Sequence, residues 1–263
     1  MKDVILINGA WVTPRCWFSF MSSLATWGYR ATAPAWPYKT GSVEEQLVHP
    51  DPRLADVGIP EVVAHYEAII RAQDEPPFLI GHSFGGLIVQ LLLDRGLGSG
   101  GVAISSVPPR GVPLVRHISL KGIRTLFRGP LNMRSILRPP EASAEDRALR
   151  LAQGIETHLV PESRRIFRQL FLGGSTRVDF GNAGRAPLLI VACGNDTLIS
   201  AETNRRNYEA YRSSARTDFA LFPELTHVSI AEPGFEDLAA CCVKWMDARI
   251  AERETSIVET VYA

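Results

Sequence analysis

The sequence predicts an α/β protein built on a mostly parallel sheet flanked by helices. Three observations predict it. Short apolar runs recur at residues 4–7, 78–80, 101–105 and 187–192, as expected of strands buried on both faces. Between most of them lie segments with apolar residues at helical spacing, and Pro or Gly punctuates the junctions. Strands that alternate with helices imply βαβ units, whose strands run parallel with helices on both sides.

The elements follow in order. Val4-Ile5-Leu6-Ile7 is a strand ended by Asn8-Gly9. Residues 17–27 form a helix closed by Gly28, residues 29–35 a second strand, and the Pro- and Gly-rich residues 36–60 a long loop. In residues 61–73, Val62, Val63, Tyr66, Ile69 and Ile70 share one helical face, and Pro76-Pro77 stops that helix. Residues 78–80 are the third strand, 84–95 a very apolar helix and 101–105 the fourth strand. Residues 107–185 lack strand signals and carry helical patches such as 162–172. The alternation resumes with a strand at 187–192, a helix at 201–212, a strand at 218–222 and a helix at 236–251. In the last helix Leu238, Cys242, Trp245 and Met246 form a core-facing stripe. Residues 252–263 read as a frayed tail. The division is a core of residues 1–106 and 186–263 that carries a helical cap insertion at 107–185.

Composition narrows the function classes. With 46% hydrophobic and 21% charged residues among 263, the chain is not intrinsically disordered. The 28 basic residues balance the 28 acidic ones, which gives no case for nucleic-acid binding. Cys16, Cys193, Cys241 and Cys242 form no CxxC pair, which excludes zinc ribbons and thioredoxin-like motifs. No signal peptide opens the chain and no 18-residue apolar stretch occurs, so the expectation is a reduced, cytoplasmic protein without a membrane span. The insertion holds fourteen Lys/Arg against six Asp/Glu, a balance of +8, so the rest of the chain carries −8. Two readings stand: a basic lid that attracts an anionic ligand, or solvated helix faces that pair with an acidic body.

Gly81-His82-Ser83-Phe84-Gly85 matches G-x-S-x-G, with an apolar strand before it and an apolar helix after it. In that context the serine sits on a sharp turn that lifts its hydroxyl above the sheet edge, at a helix N-terminus that favours developing negative charge. A serine hydroxyl needs a base, and the base an orienting carboxylate. Asp196, after the strand at 187–193, lies at the carboxyl edge where such groups gather. Asp179 and Asp218 compete less well, one before a strand and the other at a strand start. His227 follows the last strand after a short loop and is the candidate base. His82 faces away from Ser83 by its position, His49 and His65 precede the serine, and His117 and His158 lie in the insertion. The order Ser83, Asp196, His227 is that of the α/β-hydrolase triad. The expected oxyanion donors are the backbone N–H groups of Phe84 and of Ala10, in the Asn8-Gly9-Ala10-Trp11 loop.

At these residues the chain resembles α/β-hydrolase-fold serine hydrolases of the broad esterase/lipase group with a helical cap. Asn8-Gly9-Ala10 resembles the family's His-Gly-x segment with Asn for His, Gly81 to Gly86 resembles its GHSxGG turn, Asp196 with Leu198-Ile199 its acid loop, and Thr226-His227 its Gly-His. Three departures stand out: the run at 4–7 corresponds to the strand that is usually third, so the family's first hairpin is expected to be absent, the acidic residue often found after the second strand is replaced around Ala35-Trp36, and Asn8 stands where the oxyanion segment has His. The resemblance implies acyl transfer through Ser83 with no metal or cofactor, on a small to medium apolar ester or lactone. Trp11, Trp17 and Trp36 are candidate pocket residues, with plain core packing the alternative for each. Two rivals remain: a lyase, C–C hydrolase, acyltransferase or cyclase on the same site, and a low-turnover ligand receptor. The chain is expected to be a monomer or homodimer, with an apolar patch (Ile118, Leu120, Ile123, Leu126, Phe127) available to a pocket or a partner.

Overall fold

The computed structural model describes residues 2–114, 134–138, 159–172 and 174–261, with side chains to residue 255. The four apolar runs and two partly exposed strands form a six-stranded sheet: β1 (Lys2–Ile7), β2 (Tyr29–Thr32), β3 (Phe78–His82), β4 (Gly100–Ile104), β7 (Leu188–Cys193) and β8 (Thr217–Phe222), in the order β2-β1-β3-β4-β7-β8. Every neighbouring pair is parallel. The register aligns Ile7 with Gly81, His82 with Ile104, Ile104 with Val191, and Cys193 with Phe222. The loops that follow β1, β3, β7 and β8 therefore open on one edge.

Alternation along the strands builds two cores. Val4, Leu6, Phe78, Ile80, Val102, Ile104, Leu189 and Val191 face α1 (Phe18–Thr26) and α7 (Phe235–Val261). Ile5, Ile7, Leu79, Ala103, Leu188 and Ile190 face α3 (Ile59–Arg71) and α4 (Phe84–Asp94). Ten consecutive residues of α4, Phe84 to Leu93, are buried, which accounts for its nearly unbroken apolar sequence. Leu238, Cys242 and Met246 are fully buried and Trp245 nearly so, as the stripe in α7 requires.

The structure departs from the sequence reading in four places. The second strand is four residues long rather than seven. Residues 36–60 hold a short helix α2 (Val43–Val48) and a 3₁₀ turn (Pro52–Asp56). Helix α2 lacks an apolar stripe and is started by a reciprocal cap, Ser42 accepting from Glu45 N–H while Glu45 accepts from Ser42 N–H. Helix α7 continues to Val261 instead of fraying after residue 251. The Arg249–Glu252 pair at 2.7 Å supports it across the end read from the sequence. Within 107–185, Ile136–Leu137 (β5) and Glu162–Ser163 (β6) form a two-residue antiparallel ladder. A ladder this short leaves no periodicity in sequence. Ser163 accepts from Arg165 N–H and starts α5 (Arg164–Phe171), so the helix predicted from 162 begins at 164.

Much of the basic insertion, with His117, His158 and the patch at Ile118, Leu120, Ile123, Leu126 and Phe127, lies outside the described residues. Of its described charges, Arg134 pairs with Asp56 at 2.9 Å and Arg165 with Glu61 at 2.7 Å, the pattern of basic faces pairing with an acidic body. Among the described residues no helix is long and apolar enough to cross a membrane.

Candidate active site

Ser83 stands between β3 and α4 with φ 57° and ψ −118°, a conformation that non-glycine residues adopt at a cost. The surroundings over-determine it. Ser83 N–H donates to Ile104 C=O at 2.9 Å, and Ser83 C=O accepts from Gly86 and Val107 N–H, both at 3.1 Å. The glycines of the pentapeptide serve close approach: a Cβ on Gly81 would overlap the Gly85 carbonyl, and one on Gly85 the Ile7 carbonyl.

The three side chains singled out in sequence meet. His227 Nε2 lies 3.1 Å from Ser83 Oγ, and His227 Nδ1 lies 2.8 Å from Asp196 Oδ2. The other Asp196 oxygen accepts from Leu198 N–H at 2.7 Å and Ile199 N–H at 2.8 Å. Burial raises the Asp196 pKa, but the His227 hydrogen bond and charge, with the two N–H groups, outweigh it and hold the carboxyl below its ordinary range. An ionised Asp196 takes the Nδ1 proton as acceptor, which leaves the Nε2 lone pair facing the Ser83 hydroxyl. Asp218 is engaged elsewhere, by Arg216, Trp245 and Arg249, and Asp179 bonds Gly181 N–H.

Two supports escaped the sequence reading. His82 does turn from Ser83, and its Nε2–H donates to His227 C=O at 2.6 Å, with the rings 4.9 Å apart. Burial, then the neighbouring His227, pushes its pKa down to about 3, so the ring is neutral. The turn away from Ser83 is the one read from its position in the sequence, as strand alternation requires; its partner on the His227 backbone carries no sequence signal. Glu232 accepts from Thr226 N–H at 2.6 Å and Thr226 Oγ1–H at 2.8 Å, tying down the turn that carries His227. No sequence spacing marks it.

The loop after β1 reaches the same place. A Cβ on Gly9 would stand 3.0 Å from Ser83 Cβ and 3.5 Å from Ser83 Oγ, so the backbone there lies against the serine. Asn8, 1% exposed, donates from Nδ2 to Gly9 C=O at 2.9 Å and to Val12 C=O at 3.1 Å. The departure from the family's histidine thus still supplies a donor within the loop. Phe84 N–H, in the first turn of α4, is one of the N–H groups a helix cannot satisfy internally.

An aromatic series runs beside Ser83. Trp11 stacks on Phe167 with centroids 5.2 Å apart, Phe167 meets Phe84 edge-on at 5.4 Å, and Phe84 meets Trp36 at 6.5 Å. Trp11 is half-buried, whereas Trp36 is 1% exposed behind Phe84 and packs in the core on the α3 and α4 face, which corrects its reading as a pocket residue. Trp17 is corrected. It is fully buried, packs edge-on against Phe20 at 5.3 Å and belongs to the core on the α1 and α7 face, because the 3₁₀ turn at Pro14–Trp17 directs it inward. Phe167, on α5, is the ring that bridges Trp11 and Phe84. Among the described residues no group of three or more His, Cys, Asp or Glu side chains converges as metal ligands would.

Known proteins agree with this architecture. A sequence profile of the Alpha/beta hydrolase family matches residues 4–240, and the chain belongs to that family. No curated protein matches it in sequence. Among solved structures it is similar to a metagenome-derived lipolytic enzyme (15% identity, 94% of each chain, TM-score 0.67). It is also similar to a monoacylglycerol lipase from Paleococcus ferrophilus (21% identity, 94% of each chain, TM-score 0.65). A pyrethroid hydrolase from Sphingobium faniae is 18% identical over 94% of this chain and 98% of that one, with a TM-score of 0.64. At such identities the likeness is one of fold.

Proposed function

We propose that the chain is a carboxylic ester hydrolase that acts on a small to medium apolar ester or lactone through Ser83, His227 and Asp196. The observation that carries this reading is the line of hydrogen bonds from Asp196 Oδ2 through His227 to Ser83 Oγ. His227 Nε2 takes the hydroxyl proton as Ser83 Oγ bonds to the carbonyl carbon, and the carbonyl π pair moves onto oxygen. The N–H groups of Ala10 and Phe84 stabilise that oxyanion, each contributing about 3 kcal/mol of barrier lowering. The tetrahedral species collapses as its C–O bond breaks, with the His227 proton passing to the leaving alcohol. Water, deprotonated by the same nitrogen, then releases the acid and restores Ser83. No part of this cycle calls for a metal or cofactor.

The aromatic series of Trp11, Phe167 and Phe84 supports an apolar acyl group, and three structural neighbours named for lipolytic, lipase and pyrethroid-hydrolase activity are consistent with it. In this reading residues 107–185 cap the site and choose the substrate. The test is hydrolysis of p-nitrophenyl esters of graded acyl length, with Ser83→Ala in parallel. Saturable turnover that disappears in the variant is expected, and the preferred length sizes the pocket. Turnover that survives Ser83→Ala would refute the mechanism. If the esters fail while a fluorophosphonate labels Ser83, the substrate is a specialised one. Absence of both turnover and labelling would favour the receptor.

A further inference from the structure

Deep between the insertion and the loop after β1 lies an ion pair that the proposed reaction does not use. Lys39 Nζ meets Glu162 Oε2 at 2.7 Å, with the side chains 2% and 0% exposed. Glu162 Oε2 also accepts the N–H of Trp11 at 3.1 Å, and its other oxygen accepts Ser163 N–H at 3.0 Å. Three donors thus converge on two oxygens, a demand met by a carboxylate and not by an amide, one of whose ends donates. Two buried charges cost more in desolvation than an apolar pair would, so such a pair is weak evidence for stability and calls for another reason.

Trp11 supplies the reason. It sits at φ 69°, in the left-handed region that a bulky residue avoids. The insertion grips both of its backbone groups: Glu162 takes the N–H, and the Trp11 C=O accepts Val160 N–H at 2.7 Å. On the other side of the loop the Gly9 C=O is turned to Asn8 Nδ2. In a trans peptide the N–H points opposite to the C=O, so the orientation of Ala10 N–H is bounded by Asn8 before it and by the clamped Trp11 after it.

We infer that Glu162, held by Lys39, is a positioning residue that fixes the Ala10 N–H toward the oxyanion by clamping the strained Trp11 backbone, which makes the competence of the site depend on the seating of the insertion. This rests on the ester-hydrolase reading proposed above. It applies to whatever ester the site takes, because the clamp touches backbone and no substrate atom.

The experiment compares wild type, Glu162→Gln and Lys39→Met on one p-nitrophenyl ester, with rates normalised to the folded fraction and Ser83→Ala as the control. Glu162→Gln is expected to lower kcat by roughly 10- to 100-fold with KM within about threefold, the scale of a misdirected oxyanion donor. Lys39→Met keeps the carboxylate and both N–H bonds, so its kcat falls less. Amide hydrogen exchange over residues 9–13 is expected to accelerate in Glu162→Gln while β1 stays protected. Should Glu162→Gln not fold, K39M/E162L removes both charges with apolar side chains, a replacement buried pairs tolerate. It should show the same kcat loss and exchange pattern. Wild-type kcat per folded molecule in the Glu162 variants, with turnover still lost in Ser83→Ala, would overturn the inference and leave the hydrolase reading intact. Unchanged exchange over residues 9–13 would overturn the clamp itself. Turnover that survives Ser83→Ala would overturn the hydrolase reading, and the role given to Ala10 with it.

Discussion

The two sides of the candidate site are held in place by different physics. On the sheet side, Ser83, Asp196 and His227 sit on turns that directly follow β3, β7 and β8, and sterics set the key turn: glycines 81 and 85 pass other backbone where no Cβ fits. On the insertion side, the loop of Gly9 to Trp11 is held by side chains remote in sequence, Glu162 above all, and by the contact of Trp11 with Phe167. Backbone packing and hydrogen bonds within the sheet hold the first side, whatever covers it. The second side is only as rigid as the packing of one segment on another.

That contrast can be tested by breaking each side in turn. The largest effect is expected from Asp196→Asn, which leaves the shape of the sheet side but removes the charge that sets the His227 tautomer. Ester kcat should fall by roughly four orders of magnitude with the fold intact, as read by steady-state kinetics beside circular dichroism. Because its pKa is lowered from 3.8 in the folded protein, Asp196 contributes stability above the unfolded value that is lost as pH falls through the folded value. Wild type should therefore lose its advantage over Asp196→Asn only on strong acidification.

Gly85→Ala attacks the sterics directly. The new methyl overlaps the Ile7 carbonyl, so urea unfolding should show a loss of about 3 kcal/mol or more, or no folded protein at all. An alanine on the insertion side, where side chains can shift, should cost far less.

A third prediction concerns His82. Its folded pKa is near 3 against an ordinary 6.5, so between those values the unfolded chain binds one more proton than the folded one. Stability must then rise with pH in that window, and be lost on acidification, by about 1.4 kcal/mol per pH unit from this group. His82→Gln should flatten the acid side of the stability profile by that slope, measured by urea titration from pH 4.5 to 7. An unchanged slope would show that His82 is not buried neutral.

The smallest effect is expected from Phe167→Ala, which removes a stack and an edge contact worth about 0.5–1.5 kcal/mol each beyond area. KM for aromatic esters should rise roughly three- to tenfold with kcat changed less. An equal loss for short aliphatic esters would indicate that Phe167 acts by propping Trp11 rather than by touching substrate.

How much was legible follows the same division. Four apolar runs placed β1, β3, β4 and β7, because strands buried on both faces leave an unbroken signal, whereas the partly exposed edge strands β2 and β8 were placed by the alternation of elements. Helix α2 was missed because it buries no continuous apolar stripe and is started by a cap, and the far end of α7 because its sequence carries no stop or apolar signal that separates a helix from a tail. Trp17 was misassigned because an indole near a sheet edge reads alike whether it lines a cleft or fills a core, and only the direction of the Pro14–Trp17 turn separates the two.

By itself the sequence determined what short-range chemistry determines: strands and helices from periodicity, the sharp turn at Ser83 from its flanking glycines, and candidate roles for Asp196 and His227 from their places after strands. The tertiary structure decided which distant groups became partners. Glu162 lies 151 positions from Trp11 and 123 from Lys39, and His82 lies 145 from His227. Their side chains carry no periodic or turn signal, and a buried donor is matched to its acceptor by the three-dimensional demand that neither be left unpaired.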